Sequence, residues 1–191
     1  MMELQVEHLY KRYGENAVLD DISFTARVGV TRLLGPSGIG KTTLAMVLAN
    51  EAGLPYRLFN AVTGNKKELD TIFEEAKFYD GLVLIIDEVH RLNKDKQDLL
   101  LPHVENGRII LIGATTSNPT MAINPAIRSR CHLFAIKPLE TDDIIAALNR
   151  AAASEKGLNG QVRLDPRAAE LIASYCGGDI RYALNVLELC A

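Results

Sequence analysis

Cysteine is scarce in this sequence, and long apolar runs are missing. The three cysteines, Cys131, Cys176 and Cys190, follow no spacing typical of disulfides or zinc ligands, so we expect a reducing compartment. No stretch is long enough to span a membrane, and no signal peptide is recognisable at the start. These features argue against a disulfide-stabilised scaffold and against membrane insertion, and they predict a cytoplasmic location.

An excess of basic residues is also missing. The formal net charge is -3, so bulk charge gives no support for nucleic-acid binding, although a local basic patch would still be compatible with it. Apolar residues make up 48% and charged residues 24% of the chain, a balance typical of soluble proteins. A chain of 191 residues is long enough for one full core plus a small appendage.

Residues 35–42 fit the Walker A pattern G-x-x-x-x-G-K-[ST], between a predicted buried strand and a predicted helix. Glycines let successive N–H groups wrap around phosphate oxygens, and the helix N-terminus adds positive charge. Lys41 should reach the β- and γ-phosphates of ATP, and the Thr42 hydroxyl should ligate Mg²⁺. A glycine-rich turn without a phosphate role is disfavoured because strand, motif and helix are all present. The expected ATP-binding residues are Gly35, Pro36, Ser37, Gly38, Ile39, Gly40, Lys41, Thr42 and Thr43.

A second motif follows the apolar run at residues 82–86, which is typical of a parallel strand covered on both faces. The run ends in Asp87 and Glu88. Asp87 fits the Walker B role of holding Mg²⁺ through water, and Glu88 is placed to polarise the attacking water as general base. An acidic pair after a buried strand can also be plain solvated loop, but the Walker A motif upstream favours the functional interpretation.

The next buried strand, predicted over residues 108–114, is followed by four polar residues at positions 115–118. Ligands of open α/β sheets sit at the carboxyl ends of strands, so one of these side chains can touch the γ-phosphate or its water. A plain turn ending at Pro119 is the alternative. The short predicted helix at residues 124–131 carries Arg128 and Arg130. An arginine there can pair locally with an acid, or it can enter a neighbour's active site and stabilise transition-state charge.

Three further helices are predicted towards the C-terminus, with Thr141, Asp165 and Asp179 as their N-caps. Arg181 opens the last of them, where it is either solvated or faces the nucleotide. We therefore predict an α/β P-loop fold with a mostly parallel sheet between helices. Its P-loop ATPase core would cover residues 1–138, with a β-ribbon at residues 1–30, and a small helical lid domain would cover residues 139–191.

The N-terminal stretch, residues 4–44, resembles the start of an ABC-transporter ATP-binding domain. The matching residues are 10–14, 18–24 and 33–44. The resemblance implies that Tyr13 stacks on adenine. It covers under a quarter of the chain and then stops, because neither an LSGGQ-type signature segment nor a switch histidine follows.

From about residue 41 onward the chain resembles the AAA+ ATPases of the replication-associated recombination protein A group (RarA, also called MgsA), cousins of clamp loaders. The resemblance rests on residues 59–63, 85–94, 101–107, 111–116, 124–126, 129–131 and 178–185. It implies that Thr116 is sensor 1, Arg130 an arginine finger given in trans, and Arg181 the sensor 2 arginine of the lid. It also implies a homo-oligomeric, DNA-stimulated ATPase of replication, recombination and repair, acting at stalled forks or single-strand/double-strand junctions.

Three departures from that group change the expectation. The ABC-like ribbon replaces a region that helps to hold the base, and Ser37 stands where proline is usual. The group's C-terminal helical domain, which supports oligomerisation, is not found after the lid. We therefore expect an ATP-binding AAA+ module whose Mg²⁺-dependent hydrolysis is weak in this chain. The alternatives are an ABC-transporter ATP-binding subunit, disfavoured by the missing signature, and a nucleotide-gated interaction module with little hydrolysis.

Overall fold

The chain divides into two compact units in the computed structural model. Met1–Leu33 and Thr42–Phe134 form the first unit, and Leu34–Lys41 and Ala135–Ala191 form the second. The structure describes residues 3–13, 16–27, 30–116 and 123–191, the first two ranges as backbone. No helix among these residues is both long and apolar enough to cross a membrane.

The first two strands form the predicted ribbon. Strand β1 (Glu3–Tyr13) pairs antiparallel with β2 (Asn16–Arg27) as a separate two-stranded sheet, which confirms the ribbon. Tyr13 is the last residue of β1, and its side chain lies outside the described part of the structure. Adenine stacking by Tyr13 therefore stays a prediction.

Five strands form the main sheet in the order β4-β5-β6-β3-β7. The β4–β5 and β5–β6 pairs are parallel, as predicted. The first five residues of β5 are buried, which explains why this strand is apolar at every position instead of alternating. The strands are β3 (Val30–Leu34), β4 (Tyr56–Asn60), β5 (Leu82–Asp87), β6 (Ile109–Thr115) and β7 (Cys131–Ala135).

Helices of the first unit pack against this sheet. Asn65 and Asn93 cap α2 and α3, and each accepts a hydrogen bond from a backbone N–H three residues on. Fully buried side chains from α2, α3 and strands β5 and β6, among them Leu69, Leu84 and Leu100, form one core. The helices are α1 (Lys41–Glu51), α2 (Lys66–Glu75), α3 (Lys94–Glu105) and α4 (Pro125–Arg128).

The C-terminal part of the second unit is helical, as predicted, and comprises α5 (Thr141–Ala153), α6 (Pro166–Tyr175) and α7 (Ile180–Cys190). Asp165 and Asp179 cap α6 and α7, which confirms two of the predicted caps. The third predicted cap, Thr141 for α5, was wrong by one residue. Glu140 is the N-cap of α5, and its N–H donates to Asp143 Oδ2 at 3.1 Å, so Thr141 is already the first helical residue.

His103, near the end of α3, gives a prediction about the stability of this fold. Its ring stacks on Phe73 at 4.0 Å between centroids, and its buried Nδ1 has no hydrogen-bond partner among the described residues. Burial lowers the pKa of His103 from its ordinary value of 6.5, and the positive charges of Arg108 and Lys77 lower it further, against an opposing effect of Glu74. The fold therefore prefers the neutral ring.

A pKa that is lower in the folded than in the unfolded state contributes stability that is complete above the unfolded value and is lost as the pH falls. The free energy of unfolding should thus decline as the pH drops from about 7 to about 5. His103→Phe keeps the stacking but cannot titrate, so chemical denaturation should show a flatter pH profile. Exposed His132→Gln is the control. A His103→Phe profile as steep as that of the parent would contradict the prediction.

Candidate functional site

The predicted phosphate loop runs from the end of β3 at Leu34 to the start of α1 at Lys41. Gly38 and Gly40 have φ angles of 73° and 83°, in the left-handed region that favours glycine. The Lys41 amine donates to the carbonyl oxygens of Gly35 at 2.7 Å and Pro36 at 2.5 Å. Only 8% of Lys41 is exposed. The loop thus curls around its own lysine, with backbone carbonyls as neutral partners for the positive charge.

Within the same unit, the N-terminus of α7 lies against this loop. A methyl group on Gly38 would overlap the Asp179 carboxylate. Asp179 also accepts a hydrogen bond from the Tyr182 N–H at 3.0 Å as the N-cap of α7. Gly38 is therefore required twice, once for its backbone angle and once for this close approach. The predicted sensor residue Arg181 is exposed in the first turn of the same helix.

In the first unit, the acidic pair lies at the carboxyl end of β5. Asp87 is the last residue of the strand, and its carbonyl accepts a hydrogen bond from the Ala61 N–H at 3.2 Å. Glu88 follows with φ 53° and ψ 43°, a left-handed conformation that is uncommon for a residue with a side chain. Its N–H donates to Asp87 Oδ1 at 3.0 Å. Strained residues of this kind cluster at functional sites, which fits the predicted role of Glu88.

Two contacts at this pair were not predicted from the sequence: His90 lies against Glu88, and Thr115 lies against His90. His90 Nε2 lies 3.3 Å from Glu88 Oε2, and His90 Nδ1 lies 2.9 Å from Thr115 Oγ1. Thr115 is the last residue of β6 and is only 1% exposed. The available signal was the histidine two residues after Glu88, but a lone histidine at that position does not indicate which strand it will touch.

The other predicted catalytic residues differ in their surroundings. Thr116 is exposed directly after β6, next to residues outside the described ranges. Arg130 forms an ion pair with Glu105 at 2.8 Å and donates to the Ala126 carbonyl at 2.7 Å. The local pairing considered for this arginine is thus present. Both partners remain 44% exposed, so the guanidinium is still accessible.

The predicted metal ligands have the right chemistry for Mg²⁺. Thr42 supplies a hydroxyl in the first turn of α1, and Asp87 supplies a half-buried carboxylate. Mg²⁺ prefers oxygen ligands and usually takes one or two from the protein, with waters and phosphate oxygens completing its shell. A hydroxyl and a carboxylate fit this preference.

Comparison with known protein families gives one match that covers more than half of the chain. Residues 31–139 match the model of the ATPase family associated with various cellular activities (AAA). Replication-associated recombination protein A of Bacillus subtilis is 53% identical over 159 residues, which is 82% of this chain and 38% of that protein. The Escherichia coli K12 protein of the same name is 42% identical over 165 residues, 83% of this chain and 37% of that protein.

A solved structure of the Thermotoga maritima RuvB Holliday junction branch migration motor is similar in fold. It superposes with a TM-score of 0.69 at 28% identity, over 84% of this chain and 53% of that one. The chain therefore spans about two fifths of its bacterial recombination relatives and about half of this motor.

Proposed function

This chain belongs to the AAA family of ATPases, and from that premise we propose that it binds ATP with Mg²⁺ and hydrolyses it to ADP and phosphate. The conformation of the loop before α1 carries the proposal. Two glycines in the left-handed region and a buried lysine held by carbonyls make a backbone concavity with a positive charge inside. A phosphate oxygen is a stronger, charge-assisted acceptor for that amine than a carbonyl oxygen.

The roles of the other residues follow as parts of this proposal. Residues 35–43 would hold the phosphates through backbone N–H groups, and Thr42 and Asp87 would hold the metal ion, which would neutralise phosphate charge when bound. Glu88 would take the proton of the attacking water as general base. Thr116 and Arg181 would contact the nucleotide as sensors, and Arg130 would act on a neighbouring subunit's nucleotide.

Interaction with DNA and assembly into a homo-oligomer are further parts of the proposal. Their support is the similarity to proteins named for replication-associated recombination and for Holliday junction branch migration. We also propose that the assembly of this chain is weak and its turnover slow. Its three cysteines are not joined in disulfides, which fits the reducing compartment of the cytoplasmic location that we propose.

The ABC-transporter alternative is not favoured, since the AAA match runs from residue 31 to residue 139. The resemblance of residues 4–44 to an ABC domain concerns mainly the ribbon. We retain from it only the proposal that Tyr13 stacks on the adenine ring, as aromatic side chains stack on bases elsewhere.

Lys41→Ala tests the proposal directly. Tight ATP binding should be lost, because the β- and γ-phosphates would then face only backbone amides and the metal ion. Affinity is measured by titration with ATP and Mg²⁺, and Lys66→Ala, an exposed lysine on α2, is the matched control. An unchanged ATP affinity of the Lys41→Ala protein would refute the assignment of the phosphate loop.

A further inference from the structure

We propose that His90 is a positioning residue that joins the Glu88 carboxylate to the buried hydroxyl of Thr115. This link would make the turnover rate depend on the position of the β6 end. The inference rests on the proposed function, since it gives Glu88 its role as general base. It adds His90 as a residue that holds the base in place, and it makes the position of the base depend on strand β6.

A short 3-10 turn places the imidazole. The turn covers Val89–Arg91 directly after Glu88. The Arg91 N–H donates to the Glu88 carbonyl at 2.7 Å, and the Leu92 N–H donates to the Val89 carbonyl at 3.1 Å. Val89 is buried and packs on β6 at Gly113, where an added Cβ would lie 3.0 Å from Val89 Cγ1. The turn is thus anchored on β6, two residues before Thr115.

The imidazole of His90 contacts a different group through each of its two nitrogens. His90 Nε2 lies 3.3 Å from Glu88 Oε2, an ion-pair distance. His90 Nδ1 shares a hydrogen bond with the Thr115 hydroxyl across 2.9 Å; the hydroxyl donates to an unprotonated Nδ1 and accepts from a protonated one. The ring therefore contacts the proposed base on one side and the end of β6 on the other.

The link would hold the Glu88 carboxylate in one orientation. The left-handed backbone of Glu88 is strained, and such a conformation persists only where the surroundings hold it. The imidazole beside Oε2 restricts rotation of the carboxylate and leaves Oε1 to meet a water molecule. Since Thr115 immediately precedes the predicted sensor Thr116, a shift at the end of β6 would move His90 and thereby the base.

The test uses two variants that break the link at different points. Thr115→Val keeps the shape of the buried side chain but removes the hydroxyl, and His90→Asn removes the imidazole ring that contacts Glu88. Each should lower kcat about tenfold, with the ATP dissociation constant changed less than about twofold, because the proposal gives neither group a contact with the nucleotide. Thr115→Ser, which restores a hydroxyl, should recover most of the lost kcat. His132→Ala is the surface control.

The combined effects of these variants on turnover distinguish a positioning role of His90 from mere support of the fold. The double variant should turn over no more slowly than His90→Asn alone, and in a Glu88→Gln background neither change should lower the single-turnover rate further. Additive losses, a loss that persists in that background, or an unchanged kcat of Thr115→Val would overturn the proposal. If instead the parent chain shows no Lys41-dependent turnover, the proposed function itself has failed, and the two failures remain distinguishable.

Discussion

Replacing Glu88 by glutamine should leave ATP binding intact and lower turnover ~10²-fold or more, because glutamine keeps the size of the side chain but cannot accept the proton of the attacking water. The substitution is conservative for the backbone as well. Glutamine carries the same kind of Cβ as glutamate, so the left-handed conformation of residue 88 should be equally strained in both proteins. Any difference in rate can then be assigned to the carboxylate.

The measurement pairs an ATP titration with a phosphate-release assay on the same preparation. Glu68→Gln, an exposed change in the first turn of α2, controls for the loss of one negative charge. If Glu88→Gln loses binding and turnover in equal measure, Glu88 supports the structure and is not the base. Unchanged turnover would place the base elsewhere.

Arg130 gives the second large effect. If it acts in trans, an active site is complete only when a second subunit docks, and such a finger contributes ~10³–10⁵ in rate. Arg130→Ala should therefore lose nearly all turnover and keep ATP affinity. Since we propose weak assembly, the parent protein should be mostly monomeric at micromolar concentration. Its activity per chain should rise with protein concentration, because the competent species is an assembly. Sedimentation and a dilution series of the ATPase rate measure both.

Mixing two inactive variants tests the trans geometry. Arg130→Ala retains a working phosphate loop, and Lys41→Ala retains the finger, so the mixture should regain part of the activity. Arg128→Ala, the neighbouring arginine on α4, is the matched control for charge. Activity per chain that stays constant on dilution, together with no recovery in the mixture, would show that Arg130 is not a trans finger.

The ion pair between Arg130 and Glu105 decides how the Arg130→Ala result is interpreted. Both side chains are 44% exposed, and exposed pairs of this kind contribute only ~0.2–1 kcal/mol to stability. Its loss cannot unfold the protein, so a large fall in turnover would reflect chemistry. The weak pair is also no obstacle to a finger, because the guanidinium can exchange Glu105 for a phosphate at small cost.

The sequence by itself determined the architecture and the two motifs. The apolar runs of β5 and β6 predicted buried parallel strands because a strand covered on both faces needs no polar positions. The phosphate loop was predictable because its glycines and lysine are contiguous, so local geometry is enough to define it. The caps Asp165 and Asp179 were found for the same reason. The prediction of Thr141 as a cap was wrong because Glu140, a residue type that is not preferred at N-caps, takes that position and pairs with Asp143.

Only the tertiary structure decided which distant side chains meet. His90 and Thr115 are separated by a helix and a strand, and they touch because β5 and β6 are neighbours in a parallel register. Arg130, in the turn after α4, meets Glu105 at the end of α3 for a similar reason. No local pattern encodes these contacts, because each depends on how elements far apart in the chain align. The left-handed backbone of Glu88 was also not predictable from the sequence, and the residue after it, Val89, packs on Gly113 of β6.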